Sequence, residues 1–292
     1  MKRILVLLFT LSFVLMANAA DKVEMVVTEL GHGLYMLKGQ GGNIGVSIGD
    51  DGVYMIDDQY APLSTQIREE LDKLDKRAIK FVINTHWHGD HTGGNENFGA
   101  HGAVVLAHDN VRERMSQPQF MDHIQKDIPA SPYEALPVLT FNNEMSLHFN
   151  KLHARVMHVE HAHTDGDAIV VFNDVNIVHM GDLLFAGMYP FIDLSSGGSV
   201  GGYIAGLEFS LDYMNDNTQV IPGHGPLTNK QEIVSMVAML KDVRSQVLRA
   251  KKAGKSLDDI IAMKPTAPYD EKRNGGWIKA DSLVGFVYHS ID

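Results

Sequence analysis

The sequence predicts an α/β protein built in layers. Short apolar, β-branched runs end in Gly, Asp and Asn turns, and helical stripes follow them. This strand–helix order occurs twice along the chain, with no linker of disordered composition between the halves. One compact domain over residues 20–292 is therefore expected.

The elements follow in order. Residues 23–56 read as short strands, and Gly49-Asp50-Asp51-Gly52 marks a hairpin between two of them. Residues 62–76 have helical spacing, with Ile67, Leu71 and Leu74 on one stripe. Residues 78–85 form an apolar strand that runs straight into a His-rich string. A strand at 103–107 and a helix at 109–115 come next. Residues 116–137 carry Pro118, Pro129, Pro132 and Pro137 and read as an irregular surface excursion. Strands resume at Val138, with Asn142-Asn143 as a turn, and continue to residue 158. A second hairpin joins residues 168–172 and 176–180 around Asn173-Asp174. Helices are expected at 203–214, 229–252 and 257–263.

Residues 1–19 read as a cleaved signal peptide. Met1-Lys2-Arg3 is positive, residues 4–16 are largely apolar, and Ala17-Asn18-Ala19 has the small–x–small pattern of a cleavage site. The apolar run is shorter than the ~20 residues that span a bilayer. A periplasmic or secreted location is expected. The formal charge is −11, and two units more negative without Lys2 and Arg3. That balance disfavours nucleic acid and stable association with anionic membranes, leaving a small molecule as the expected partner. The chain has no Cys, which excludes disulfides, a thiolate nucleophile and thiolate metal ligands.

His86-Trp87-His88-Gly89-Asp90-His91 gathers four potential metal ligands at a strand's end. His86 and His88 can share one ion, while Asp90 and His91 suit a second across the turn. Four ligands on one loop cannot enclose two ions, so others must come from later in the chain. Three strings qualify: His163-Thr164-Asp165-Gly166-Asp167, Gly181-Asp182 and Pro222-Gly223-His224-Gly225. The last two follow predicted strands, where α/β sites tend to form. His158 and His161 lack such a setting, and His179, inside a strand, is expected to be packed. Asp57 and Asp58 end an earlier strand and could accept an N–H from a ligating His.

The ordered set His-x-His-x-Asp-His, His-Thr, Gly-Asp, Gly-His resembles the metallo-β-lactamase superfamily. That resemblance implies a four-layer αββα sandwich and two metal ions, most simply two zinc, with iron or manganese as alternatives. It implies that His86, His88 and His163 hold the first ion, that Asp90, His91 and His224 hold the second, and that Asp182 bridges both. It also implies hydrolysis of an ester, thioester, lactone or amide carbonyl by a metal-bridging hydroxide that Asp90 orients. A true β-lactamase is one alternative. A periplasmic protein that binds metal without catalysis is another.

Position 185, three residues after Asp182, is Phe, where Cys-containing lactamases of that family carry a Lys for the drug's carboxylate. No Lys or Arg occurs between Val156 and Asn229. Phe185, Tyr189, Phe191, Gly197 and Gly198 are therefore expected to form an apolar, mobile wall over the metals that contacts substrate. If the leader reading holds, N-terminal sequencing of protein from its native host finds Ala20, or a residue or two beside it, at the start. A membrane-bound product retaining Lys2 and Arg3 would show an anchor instead.

Overall fold

The computed structural model describes residues 23–290. The expected leader, residues 1–19, lies outside the described residues. In chain order the first half runs β1 (Val26–Gly31), β2 (Leu34–Lys38), β3 (Ile44–Gly49), β4 (Gly52–Ile56), α1 (Ser64–Asp72) and β5 (Ile79–Ile83). Then come α2 (Gly89–Thr92), α3 (Asn95–Ala100), β6 (Val104–His108), α4 (Asp109–Met115), β7 (Gln119–Met121), β8 (Lys126–Ile128) and β9 (Leu139–Phe141). The second half runs β10 (Glu144–Phe149), β11 (Leu152–His158), β12 (Ala168–Phe172), β13 (Ile177–His179), α5 (Val200–Leu211), β14 (Gln219–Ile221) and β15 (Thr228–Asn229). It closes with α6 (Lys230–Lys252), α7 (Leu257–Ala262), α8 (Asp270–Arg273) and α9 (Ala280–Ser290).

The seven-stranded sheet has the order β1-β2-β3-β4-β5-β6-β9 and the six-stranded sheet runs β10 to β15 in sequence. β1 to β4 pair antiparallel, whereas β4, β5, β6 and β9 are parallel neighbours. In the second sheet only β13 and β14 pair in parallel. Alternation along each strand explains the layers. In β4, Val53 and Met55 face α1, packing with Leu63, Ile67 and Leu71. Tyr54 and Ile56 face the other way and meet Val170 and Phe172 of β12. Ile169 and Val171 of β12 point outward into a core shared with α5, α6, α7 and α9. The result is helix, sheet, sheet, helix: the four-layer αββα sandwich.

Several boundaries differ from the sequence reading for local reasons. α1 ends at Asp72, so Leu74 falls off the buried stripe and is 41% exposed. Residues 116–137 are not wholly irregular, because β7 and β8 pair from Gln119↔Ile128 to Met121↔Lys126. α5 starts at Val200 because the Ser199 side chain accepts from Gly202 N, which caps a stretch whose glycines read as loop. α9 was not anticipated. Its Leu283, Val284, Phe286 and Val287 are buried at helical spacing, but the element is short and Gly285 interrupts it. No helix among the described residues is long and apolar enough to cross a membrane.

One buried ion pair ties α6 to α8 beneath the segment that follows Asp182. Arg273, almost wholly buried, donates to Glu232 at 2.7 Å and to Ser235 at 3.1 Å. Glu232 also accepts from Gly187 N at 3.0 Å, and Arg273 O accepts from Tyr189 N at 3.0 Å. Removing Arg273 would leave Glu232 only the more exposed Lys272 at 3.2 Å, so the loss is put at the low end of that for a broken buried pair, about 3 kcal/mol. Arg273→Met is therefore expected to lower unfolding stability by about that amount. A denaturant midpoint unchanged from the native protein would show that the pair carries no such weight.

Candidate metal centre

The donor-bearing loops all leave the same edge of the sandwich. β5 ends at Ile83, and Asn84 then anchors the chain by donating its N–H to Leu106 O at 2.8 Å. His88 precedes α2, whose first turn directs Asp90 and His91 back across the loop. His163 lies between β11 and β12, and Asp182 sits in a short turn after β13. β14 runs parallel to β13, so His224 emerges beside Asp182. Asn43, at the start of β3, fixes that last loop. Its N–H donates to Gly223 O at 2.7 Å, and its side chain donates to Pro222 O at 2.9 Å and Gly225 O at 3.0 Å.

Two groups of donors form there. His86, His88, His163 and Asp182 make one, and Asp90, His91 and His224 make the other. His163 Nε2 lies 2.9 Å from His88 Nδ1, and Asp182 Oδ2 lies 3.5 Å from His163 Nε2 and 3.7 Å from His86 Nε2. In the second group His224 Nε2 is 3.3 Å from His91 Nε2 and 3.2 Å from Asp90 Oδ2. Asp182 Oδ1 faces that group, 3.0 Å from His91 Nε2 and 3.3 Å from His224 Nε2. One carboxylate therefore turns one oxygen to each group. Tetrahedral ligands ~2.1 Å from zinc stand about 3.4 Å apart, which is the spacing of these edges.

The hydrogen bonds around the rings test whether this donor set fits a metal. His91 Nδ1 donates to Asp57 Oδ2 at 2.7 Å, and His88 Nε2 donates to Asp193 Oδ2 at 3.0 Å. His163 Nδ1 donates to Phe191 O at 2.9 Å, and His86 Nδ1 meets Thr85 Oγ1 at 3.0 Å. Thr85 Oγ1 gives its own proton to Asp57 at 2.8 Å, so it accepts from His86. Each of these four rings thus spends its N–H away from the cluster and aims a lone pair into it. His86 Nε2 and Asp182 Oδ1 are buried with no aligned hydrogen-bond partner. Buried polar atoms are rarely left so, and a cation coordinated there would satisfy both. The residues fit a two-metal site.

Electrostatics separate the two groups. Burial, helped by neighbouring imidazoles, holds His86 well below the usual histidine range. Burial likewise brings His163 down to about 4, despite Asp182. Burial opposes charge on His91 too, but Asp182, Asp90 and Asp57 outweigh it and raise its pKa. His224 is pushed up to about 9 because Asp182 and Asp90 outweigh burial in the same way. The carboxylates around the second group therefore call for positive charge, which a divalent ion would supply in place of protons.

Not every expected contact forms. Asp57 accepts from the candidate donor His91 as anticipated, whereas Asp58 accepts from no His. One Asp58 oxygen accepts from Gly94 N at 2.8 Å and the other has no partner. Burial raises the Asp58 pKa well above the carboxylate range. Phe185 is 1% exposed and stacks on His224, with ring centroids 5.1 Å apart, so it supports that ligand and has no face for substrate. Tyr189 is buried with its hydroxyl donating to Asp270 at 2.7 Å, away from the donors. The Gly197 and Gly198 amides are committed to Leu194 O and Asp193 O at 3.3 and 3.0 Å. Phe185, Tyr189, Phe191 and Gly198 are buried, Gly197 partly so, and the two glycine amides are bonded within their own turn. Phe191, at 3% exposure, has its ring stacked on His88.

Sequence reading missed Asp193, Thr85 and two close approaches. Asp193 before Ser195-Ser196 carries an Asx-turn signature, and its side chain does accept from both Ser amides. Its contact with His88 spans 105 positions, which no local pattern signals. A Cβ on Gly42 would lie 2.1 Å from the His91 ring, and one on Gly223 would lie 2.0 Å from Asp182 Oδ1. Both glycines are space for a donor.

Asp57→Asn is expected to weaken zinc at the second group by 10- to 100-fold, the usual cost of losing such a partner. The amide favours the other His91 tautomer, which points N–H at the metal. Zinc titration monitored by native mass spectrometry reads this directly. Two ions held as tightly as in the native protein would refute the orienting role.

Comparison with known proteins follows the same lines. The profile of the metallo-beta-lactamase superfamily matches residues 38–234. A metallo-beta-lactamase from Pontibacter korlensis superposes with a TM-score of 0.61 at 16% identity, over 75% of this chain and 100% of that one. The DIM-1 metallo-beta-lactamase gives 0.60 at 15% identity, over 75% of this chain and 99% of its own. A double mutant of the sec-alkyl sulfatase PisA1 gives 0.69 at 15% identity, covering 91% of this chain and 50% of that one. The matched region contains every donor from His86 to His224, and this chain belongs to the metallo-beta-lactamase superfamily.

Proposed function

We propose that the protein is a di-zinc hydrolase of neutral carbonyl substrates: esters, thioesters or lactones. The single observation that carries this reading is the Asp182 carboxylate, one oxygen facing each donor group. His86, His88 and His163 would hold one ion, Asp90, His91 and His224 the other, and Asp182 both. Two ions so held supply Lewis acidity toward a carbonyl oxygen and lower the pKa of water to near neutrality.

The chain's own groups do the rest. Asp57 and Asp193 keep His91 and His88 in the tautomers that leave Nε2 and Nδ1 free. Asp90, partly exposed and 3.2 Å from His224 Nε2, is the donor carboxylate placed to orient an attacking water and take its proton. The buried histidines of the first group keep bulk water from that side.

Preference for neutral substrates rests on where the cations are spent. The Nε/Nη2 edge of the Arg114 guanidinium is paired with Asp165 at 2.7 Å, its Nη1 donates to Gln119 Oε1 at 3.1 Å, and Arg273 is buried against Glu232. The Gly197 and Gly198 amides are likewise committed, so none of these groups is free to receive a β-lactam carboxylate. Lys at position 185 would bury an ammonium against His224, so it offers no route to such a partner.

A panel of 4-nitrophenyl acetate, a thioester, a γ-lactone, benzylpenicillin and a secondary alkyl sulfate tests the reading. Turnover is expected on the first three, lost on chelation and restored by zinc. Asp90→Asn should lower kcat by at least about 100-fold with the first-group ion retained. Best turnover on benzylpenicillin or the sulfate would replace the substrate class. No turnover by protein holding two zinc ions would favour a metal-binding role without catalysis.

A further inference from the structure

Beyond the family-matched region the chain returns to the metal centre at Trp277. The Trp277 side chain is 53% exposed, and its ring lies 5.1 Å from Phe191 and 5.3 Å from His123 between centroids. His123 comes from the turn between β7 and β8, and its ring also lies 5.4 Å from Phe191 and 5.1 Å from Phe286 of α9. Phe191 in turn stacks on His88 at 5.7 Å and meets His163 edge-on at 5.4 Å. A continuous run of rings therefore leads from two donors of the first group to an exposed indole. The same hairpin leaves Phe120 and Ile124 exposed.

A single exposed aromatic residue needs no explanation. This cluster is different because three segments distant in sequence meet beside the donors, and its inner member is fixed. Phe191 O accepts from His163 Nδ1 at 2.9 Å, which ties its backbone to a candidate donor, and the ring is 3% exposed and packed between His88, His163 and Trp277. Rings at these separations are in favourable offset or edge contact, and an indole face left open can take another flat or apolar group. Ligand sites combine such apolar walls with a few polar groups at the reacting end.

We propose that Trp277 and His123 form the subsite that receives an apolar acyl or aryl group of the substrate, with Phe191 as its floor toward the metals. This deepens the carbonyl-hydrolase reading and rests on it for the word substrate. Specificity would then come from a C-terminal segment and the β7–β8 hairpin.

The test uses the zinc-loaded mature protein and 2-acetonaphthone, a neutral aryl ketone with no hydrolysable bond. Equilibrium dialysis is expected to show binding weakened about tenfold by Trp277→Ala, the factor for roughly 60 Å² of lost apolar contact. Trp277→Phe should retain affinity within about threefold, because a ring face remains. In parallel, the ratio of kcat/KM for 4-nitrophenyl hexanoate over acetate should fall about tenfold in Trp277→Ala and in the same direction in His123→Ala. Zinc content is measured throughout. Equal ketone binding by native protein and Trp277→Ala, with zinc intact, overturns the subsite. Ketone binding that depends on Trp277 in a protein that hydrolyses no ester keeps the subsite and overturns the hydrolase reading.

Discussion

Asp182 is the point at which both donor groups meet, and the surrounding architecture keeps its two oxygens pointed apart. The carboxylate is buried, and burial alone would neutralise it. His91, His224 and His86 more than offset that penalty and hold its pKa well below the usual range. The pairing of β13 with β14 brings Asp182 and His224 out side by side, and Gly223 leaves room for the carboxylate at the closest approach. Asn43 then ties that loop to the first sheet, so the position of one oxygen is set by hydrogen bonds from across the sandwich.

A second layer of carboxylates sets the chemistry of the rings. Asp57 collects Thr85 N, Thr85 Oγ1 and His91 Nδ1, three donors at 2.7–2.8 Å. It does so from a left-handed backbone conformation (φ 63°), as does Gln59 (φ 59°). Such conformations cost about 1–3 kcal/mol each and persist where neighbours over-determine them. Here the neighbours are Ile83 O, which accepts from Asp57 N, and Gly42 O, which accepts from the Gln59 side chain. Strain in the turn after β4 is thus coupled to the tautomer of a ring on the next loop.

The layered α/β class and the first four candidate donors were legible in local pattern, whereas His163, Asp182 and His224 were singled out by the order of the family's motifs. Continuous apolar, β-branched runs mark strands buried on both faces, and His86, His88, Asp90 and His91 fall within six residues of one another. What was not legible depends on contacts between distant segments. Nothing near Asp193 in the sequence points to His88, and nothing near Phe185 says that its ring packs against His224 instead of facing solvent. Tyr189 and Phe191 are two positions apart, yet one is drawn to Asp270 and the other to the candidate donor His88. Trp277 was invisible as a site residue because only the folding of α8 and α9 brings it there.

Each donor group is drawn from both halves of the chain. His88 and His163 are separated by 75 positions, and His91 and His224 by 133. An ion captured by either group is therefore a cross-link between the two sheets. Closing the longer loop costs only fractions of a kcal/mol more than the shorter, since closure entropy grows with the logarithm of length. Neither group exists until the sheets have docked, so any ion that the folded chain takes up there is one the unfolded chain cannot hold in the same geometry. Binding of that kind shifts folding by RT ln(1 + [M]/Kd), which makes free metal concentration a term in the stability of the fold itself.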